Sequence, residues 1–488
     1  MRETDKTAVI KNIESDGCDI VFAGRITSGV ADTVPGFCEI KNPVEGLPDF
    51  YRVCMLAHPG KKSNIKIEIW LPESWNGRLV GIGNGGIGGV LHHSSMKPYL
   101  VDGYAVTHTD LGTSAGKACG YGNDDVKEDY CHRATHLMTV YAKEIISLVY
   151  GRQAEYSYFC GSSTGGLQAY TEAQRYPDDY NGIDAGVPSI INTAYHTYYL
   201  WNYVHLHDKN HNPLISKDTF GMIRSCAVEF YQHLGDGEPG DNFVSEPYRR
   251  DINVSDFIQF LKNKIPELTE SQLSALKAVY EGPKNPHTGR QICCGAPIGS
   301  EDGIANYAGD SCPGIYPFYW AFGGDFDPFG FDFADDFDRF DSLMGKYINA
   351  VNPSLRPFSD CGGKLLAFSG SVDSVVLYPE TDIYYENVCK IVGGNEECMK
   401  FFRYFLLPGR THTSGFGADS IAAPGRHESR AFAALVDWVE HNVEPEYLIA
   451  ISNAKPDKPE KIPFERIIYP YGTDKAPFRY HPATYGNM

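Results

Sequence analysis

The chain has 488 residues, more than one compact unit usually holds, so two domains or one domain with a long insertion is expected. Its 42% hydrophobic and 22% charged residues give the balance of a soluble globular protein, and its formal net charge of −19 argues against a nucleic-acid partner. No stretch approaches the roughly 18 apolar residues of a membrane-spanning helix, and Met1-Arg2-Glu3-Thr4-Asp5-Lys6 lacks the apolar core of a signal peptide. The expectation is therefore a cytoplasmic protein, or a secreted one whose leader has been removed, with no membrane partner.

In chain order, Ile65 to Leu71 alternates like a strand and stops at Pro72. Arg78 to Gly83 reads as a second strand, followed by the loop Asn84-Gly85-Gly86-Ile87-Gly88-Gly89, and Gly103 to Thr107 as a third. Ala134, Leu137, Met138, Tyr141, Ile145 and Leu148 recur at helical spacing between Tyr130 and Tyr150. Tyr156 to Cys160 is the next strand, a helix follows from about Leu167 until Pro177 stops it, and Gly182 to Val187 reads as a buried strand. Strands alternating with helices predict a largely parallel sheet.

From Ser189 to Pro357 that rhythm breaks. The stretch holds helical pieces, of which Thr269 to Tyr280 is the clearest, and the acidic-aromatic passage Gly323 to Phe333. Sheet rhythm resumes at Lys364 to Ser369 and at Phe401 to Leu407, and a last helix runs from about Glu428 to Glu440. The predicted organisation is an α/β-hydrolase core with a mostly parallel sheet, built from residues 1–189 and 356–488, with residues 190–355 inserted as a lid. Thirteen cysteines are present, but no Cys-x-x-Cys pair, so zinc-site spacing is absent.

Gly161-Ser162-Ser163-Thr164-Gly165 carries the chemistry. A strand before it and a helix after it match a nucleophile elbow, whose tight turn needs small residues beside the serine and lifts its Oγ clear of the sheet. The plainer reading of five such residues is a glycine-rich turn with an incidental serine; their setting favours Ser163 as nucleophile. Such a serine needs a base, itself oriented by an acid, and in this fold the two follow it in the order acid, then histidine. Gly370-Ser371-Val372-Asp373 ends the first strand after the insertion, and Leu407-Pro408-Gly409-Arg410-Thr411-His412 ends the next. Asp373 could be an ordinary turn residue, and His427 competes with His412 but lies where it could simply cap the last helix. His92, His93, His108, His132 and His136 precede the serine, which is the wrong order. The oxyanion donors expected are the backbone N–H groups of Thr164 and Gly86.

At this point the chain resembles the tannase/feruloyl esterase family. The passages that carry the resemblance are Trp75-Asn76-Gly77-Arg78 running into Gly83-Asn84-Gly85-Gly86, Gly103-Tyr104-Ala105-Val106 with Asp110, and Gly161 to Gly166 with Gln174-Arg175-Tyr176-Pro177 and Gly182-Ile183. They continue with Gly362-Gly363-Lys364-Leu365 through Asp373 to Tyr384-Tyr385, and Pro408-Gly409 through His412 to Gly415. The resemblance implies a serine esterase with Ser163, Asp373 and His412 as its triad, no required cofactor, and a small phenolic ester such as a feruloyl or galloyl ester as partner. A terephthalate monoester is the alternative substrate, and a catalytically silent aromatic- or glycan-binding protein the alternative of another class.

Two departures from the family pattern stand out. Relatives have cysteines beside the serine and the histidine, joined as a disulfide; here those positions are Ser162 and Thr413. Another contact must hold the histidine loop, a Ser162–Thr413 hydrogen bond being one guess, and the change suits a reducing setting. Relatives also have an aspartate-rich calcium loop, of which only Asp236 and Asp241 stand in plausible places, with one extra residue between them. A structural Ca²⁺ is therefore not expected.

Overall fold

The computed structural model describes residues 6–8, 10, 17–413, 415–424 and 431–482. They divide into two compact units, one comprising residues 1–186, 322–324 and 355–365, the other 187–321, 325–354 and 366–488.

The first unit is built on seven strands: β1 Cys18–Ile26, β2 Phe50–Ala57, β3 Ile65–Pro72, β4 Arg78–Ile82, β5 Ala105–Thr109, β6 Tyr156–Ser162 and β7 Gly182–Gly186. Their order across the sheet is β1-β2-β3-β5-β4-β6-β7. The pairs β1–β2, β2–β3 and β3–β5 are antiparallel. The pairs β5–β4, β4–β6 and β6–β7 are parallel. The parallel part has its connections covered by helices, as a parallel sheet requires. Helix α1 (His93–Val101) precedes β5, α2 (Ala134–Tyr150) precedes β6, and α3 (Thr164–Arg175) follows it.

Helix α2 buries Ala134, Met138, Tyr141, Ala142, Ile145, Ile146 and Val149 on one stripe and ends at Gly151, whose φ of +72° closes the last turn. The helical spacing begins earlier, as expected from Tyr130, but Asp129–Arg133 is a single π-turn. Two strands that the sequence did not announce, β1 and β2, extend the sheet. β2 is buried at seven of its eight positions and so shows no polar alternation.

In the second unit, α4 (Asn192–His205) is followed by helices Lys217–His233, Val254–Lys264, Glu270–Glu281 and Asp336–Ile348. Glu270–Glu281 starts on a reciprocal cap between Thr269 and Gln272, which sets the predicted boundary to the residue. Phe326 and Phe331 of the acidic-aromatic passage pack on Phe318 at 5.0 and 5.4 Å, and Phe318 stacks in turn on Phe340 at 4.3 Å. These rings fill their own core. Strand β8 (Lys364–Gly370) lies beside β9 (Phe402–Leu407). Strands β10 (Ser420–Ala422), β11 (Leu448–Ser452) and β12 (Phe464–Ile468) form a separate antiparallel sheet. The final helix is described as Ala431–His441; its expected start and His427 lie outside the described residues.

Candidate active site

β6 delivers the elbow directly into α3. Ser163 sits at the junction with φ +64° and ψ −119°, a conformation that costs a side-chain-bearing residue about 1–3 kcal/mol. Its N–H donates to the Gly186 carbonyl at 3.0 Å and its carbonyl accepts from Leu167 N–H at 3.0 Å, so the backbone is held on both sides. The turn closes because glycines meet face to face. A Cβ on Gly83 would lie 2.6 Å from Gly165 Cα, and one on Gly161 would overlap the Gly165 carbonyl.

The predicted oxyanion loop is tied to this elbow. The Gly165 N–H donates to the Asn84 carbonyl at 2.7 Å, and Thr164 Oγ1 to the Gly86 carbonyl at 2.7 Å. Gln168, one helical turn on, accepts the Asn84 N–H at 2.8 Å and donates to Thr135 Oγ1 at 2.7 Å. The Asn84 side chain donates to the Thr109 carbonyl at 2.8 Å, and Gly89 N–H to the Asp110 carbonyl at 2.8 Å. Gly86 takes φ +55°, which glycine adopts without penalty. Ser163, Thr164 and Gly86 thus lie in one hydrogen-bonded cluster of the first unit.

Asp373 and His412 are brought together in the second unit. His412 Nδ1 lies 2.9 Å from Asp373 Oδ2. The other carboxylate oxygen accepts the N–H groups of Val375 at 2.8 Å and Val376 at 3.1 Å, and the acid is fully buried. Burial works against a charged imidazole, but the adjacent carboxylate outweighs it and raises His412 above its ordinary value.

Sequence reasoning missed what fixes the acid turn. Tyr198 and Tyr307 donate to the Ser374 carbonyl at 3.1 and 2.9 Å, Tyr199 to Val375 at 2.9 Å and Tyr195 to Leu377 at 3.1 Å. Three of these hydroxyls come from one face of α4, and each bond contributes about 1 kcal/mol. The repeat Tyr195-x-x-Tyr198-Tyr199 was the one legible sign of such a face.

His93 is engaged elsewhere. Glu68, wholly buried, accepts from Arg52 Nε at 2.7 Å and Trp70 Nε1 at 2.6 Å, and its second oxygen lies 2.7 Å from His93 Nε2. Burial opposes both charges, yet the network holds Glu68 down at about 2 and His93 up at about 9. His93 is a locked cation, unsuited to take a proton near neutral pH.

Asp236 and Asp241 do not fit calcium. Asp236 accepts the N–H groups of Ser245 at 2.7 Å and Glu246 at 3.0 Å. Asp241 accepts Glu238 N–H at 2.9 Å and both Nη groups of Arg466. All four carboxylate oxygens are thereby taken up, with a guanidinium supplying the positive charge. A chelator is expected to leave the thermal unfolding midpoint unchanged. Arg466→Ala, which leaves Asp241 buried without its cation, is expected to cost about 2–3 kcal/mol. A midpoint that falls on chelation would show that a metal is bound after all.

The family model described as tannase and feruloyl esterase matches residues 51–314 and 326–473. A probable feruloyl esterase of Arthroderma benhamiae is 30% identical over 434 residues, covering 81% of this chain and 77% of that protein. Feruloyl esterase B of Aspergillus niger is 27% identical over 448 residues, covering 84% and 80%. Among solved structures, feruloyl esterase B from Aspergillus oryzae superposes with a TM-score of 0.83 at 20% identity, over 96% of this chain and 95% of that one. Tannin acyl hydrolase from Aspergillus niger gives 0.74 at 17% identity, over 96% and 92%. The fold is that of an α/β-hydrolase, and the protein is a carboxylic ester hydrolase. It belongs to the tannase and feruloyl esterase family.

Proposed function

We propose that the protein hydrolyses esters of phenolic acids through an acyl-enzyme, with Ser163 as nucleophile, His412 as base and Asp373 as the acid that orients it. The observation that carries this reading is the backbone of Ser163, a non-glycine residue held at φ +64° where a strand turns into a helix. Strain of this kind persists only where the surroundings impose it, and here an array of glycines and backbone bonds does so.

In this mechanism His412 takes the Ser163 proton as Oγ attacks the ester carbonyl, then returns it to the departing alcohol. The backbone N–H groups of Thr164 and Gly86 receive the oxyanion. Asp373, its other oxygen pinned by two N–H groups, keeps the Nδ1–H tautomer of His412 and stabilises the imidazolium. Water then releases the acid by the same steps in reverse roles.

The names of the relatives favour a hydroxycinnamoyl acid, and burying one such ring contributes about 2 kcal/mol, or about thirtyfold in kcat/KM. Methyl ferulate and methyl gallate are expected to outrun methyl acetate by that factor, with Ser163→Ala as the blank. Turnover of methyl acetate without preference for either aromatic ester would sink the substrate class while leaving the esterase intact.

A further inference from the structure

We infer that Lys461 is a positioning residue for the base, a buried ammonium that anchors the His412 loop non-covalently; the inference rests on the reading of His412 as base. The loop leaves β9 at Leu407 and folds back on itself. Ala418 N–H donates to the Pro408 carbonyl at 3.0 Å and Gly417 N–H to that of Gly409 at 3.1 Å. Its near side is pinned to the acid turn: Gly409 N–H donates to Ser371 Oγ at 2.9 Å and Val372 N–H to the Arg410 carbonyl at 3.1 Å.

Its far side converges on one atom. Lys461 Nζ donates to the carbonyls of Gly415 at 2.7 Å and Gly417 at 2.9 Å, and to Asp419 Oδ1 at 2.8 Å. The ammonium has three donors and meets three acceptors, and the side chain is 0% exposed. Two buried carbonyls facing one point cannot be satisfied by an apolar side chain, and leaving each unpaired costs about 1–3 kcal/mol.

The anchor comes from the segment between β11 and β12, so a separate part of the chain closes the loop that carries the base. No cysteine follows Cys398 in the chain, so the His412 loop carries no thiol that could tie it through a disulfide. The holding force is accordingly electrostatic.

Such a tether has a signature that a covalent one lacks. The groups facing Lys461 are the Asp419 carboxylate, which favours its charge, and Lys455 and Lys458, which oppose it. Burial is the largest influence and brings the ammonium below an ordinary lysine. Proton loss removes one donor and the charge, so the loop loosens at a lower pH than a surface lysine would dictate.

The test compares Lys461→Met and Lys461→Arg with the parent enzyme on an aromatic methyl ester, with His412→Ala as a control. Lys461→Met is expected to lower kcat about 10- to 100-fold with KM within about twofold, as a small displacement of a base does. Lys461→Arg is expected to restore most of kcat and to move the alkaline fall of the pH–rate profile upward, because a guanidinium keeps its charge. A folded Lys461→Met with parental kcat and pH profile would overturn the inference. If Lys461→Met does not fold, an alkaline limb identical in the parent and Lys461→Arg would overturn it equally. Full turnover in His412→Ala would instead remove the reading of the base, separately from anything Lys461 does.

Discussion

Ser163→Ala is expected to lower kcat for an aromatic methyl ester by about 10⁴-fold or more, because the nucleophile contributes most of the acceleration in a serine esterase. Circular dichroism should be unchanged, since the backbone bonds to Gly186 and Leu167, which the substitution keeps, close the turn. Ser163→Gly should be equally inactive yet melt higher, by about 1 kcal/mol. Glycine takes φ +64° without the Cβ penalty, less its own greater entropy in the unfolded chain. The two variants therefore separate chemistry from strain: both lose turnover, and only one gains stability. Retained turnover in either would remove Ser163 from the mechanism, while equal melting points would show that the strain is no larger than glycine's entropic cost of about 0.5–1 kcal/mol.

Asp373→Asn is expected to cost about 10⁴-fold in kcat, and the structure says why an isosteric change should be so severe. One carboxylate oxygen accepts two N–H groups, from Val375 and Val376, so the asparagine carbonyl must occupy that side. Its NH₂ then faces His412 Nδ1 and donates to it, which forces the proton onto Nε2 and deprives the ring of its basic nitrogen on the side needed. The pH profile provides a second readout. As the proposed base, His412 works only when neutral, so activity is expected above its pKa and lost as pH falls through it. Asp373 raises that pKa, so the parent loses activity at a higher pH than an ordinary histidine would impose. Without the carboxylate, the acid limb of the residual activity should move to lower pH. An unshifted acid limb would mean that another group titrates there.

The local parts of the site were legible in the sequence because they are written in consecutive residues. Strand, Gly-x-Ser-x-Gly and helix together determine one turn, and Asp373 and His412 each end a strand whose apolar run is plain. What escaped was tertiary. β2 reads Phe-Tyr-Arg-Val-Cys-Met-Leu-Ala, an almost uninterrupted apolar run whose single charge, Arg52, belongs inside only because Glu68, diagonally across on β3, accepts its Nε–H. Lys461 is an unremarked lysine among several near the C-terminal end, and its role depends on two carbonyls from another part of the chain. Arg466 escaped similarly: nothing local in the sequence says that Asp241 faces its guanidinium. Single residues that act by satisfying distant backbone leave no periodicity to read.

The four tyrosine hydroxyls on the acid turn have a consequence for how this protein can change. Residues 190–355 lie outside the α/β rhythm of the sequence and would be expected to vary freely. Yet α4 and Tyr307, both from that segment, supply the donors that hold the backbone of residues 374–377. Those residues are thus no interchangeable cassette. A chimera that borrows residues 190–355 from a relative would forfeit the hydroxyls that hold the Asp373 turn, unless the donor preserved tyrosines at the same three steps of the helix and at position 307. Exchanges within residues 190–355 must therefore keep those anchors if the turn that carries Asp373 is to stay in place.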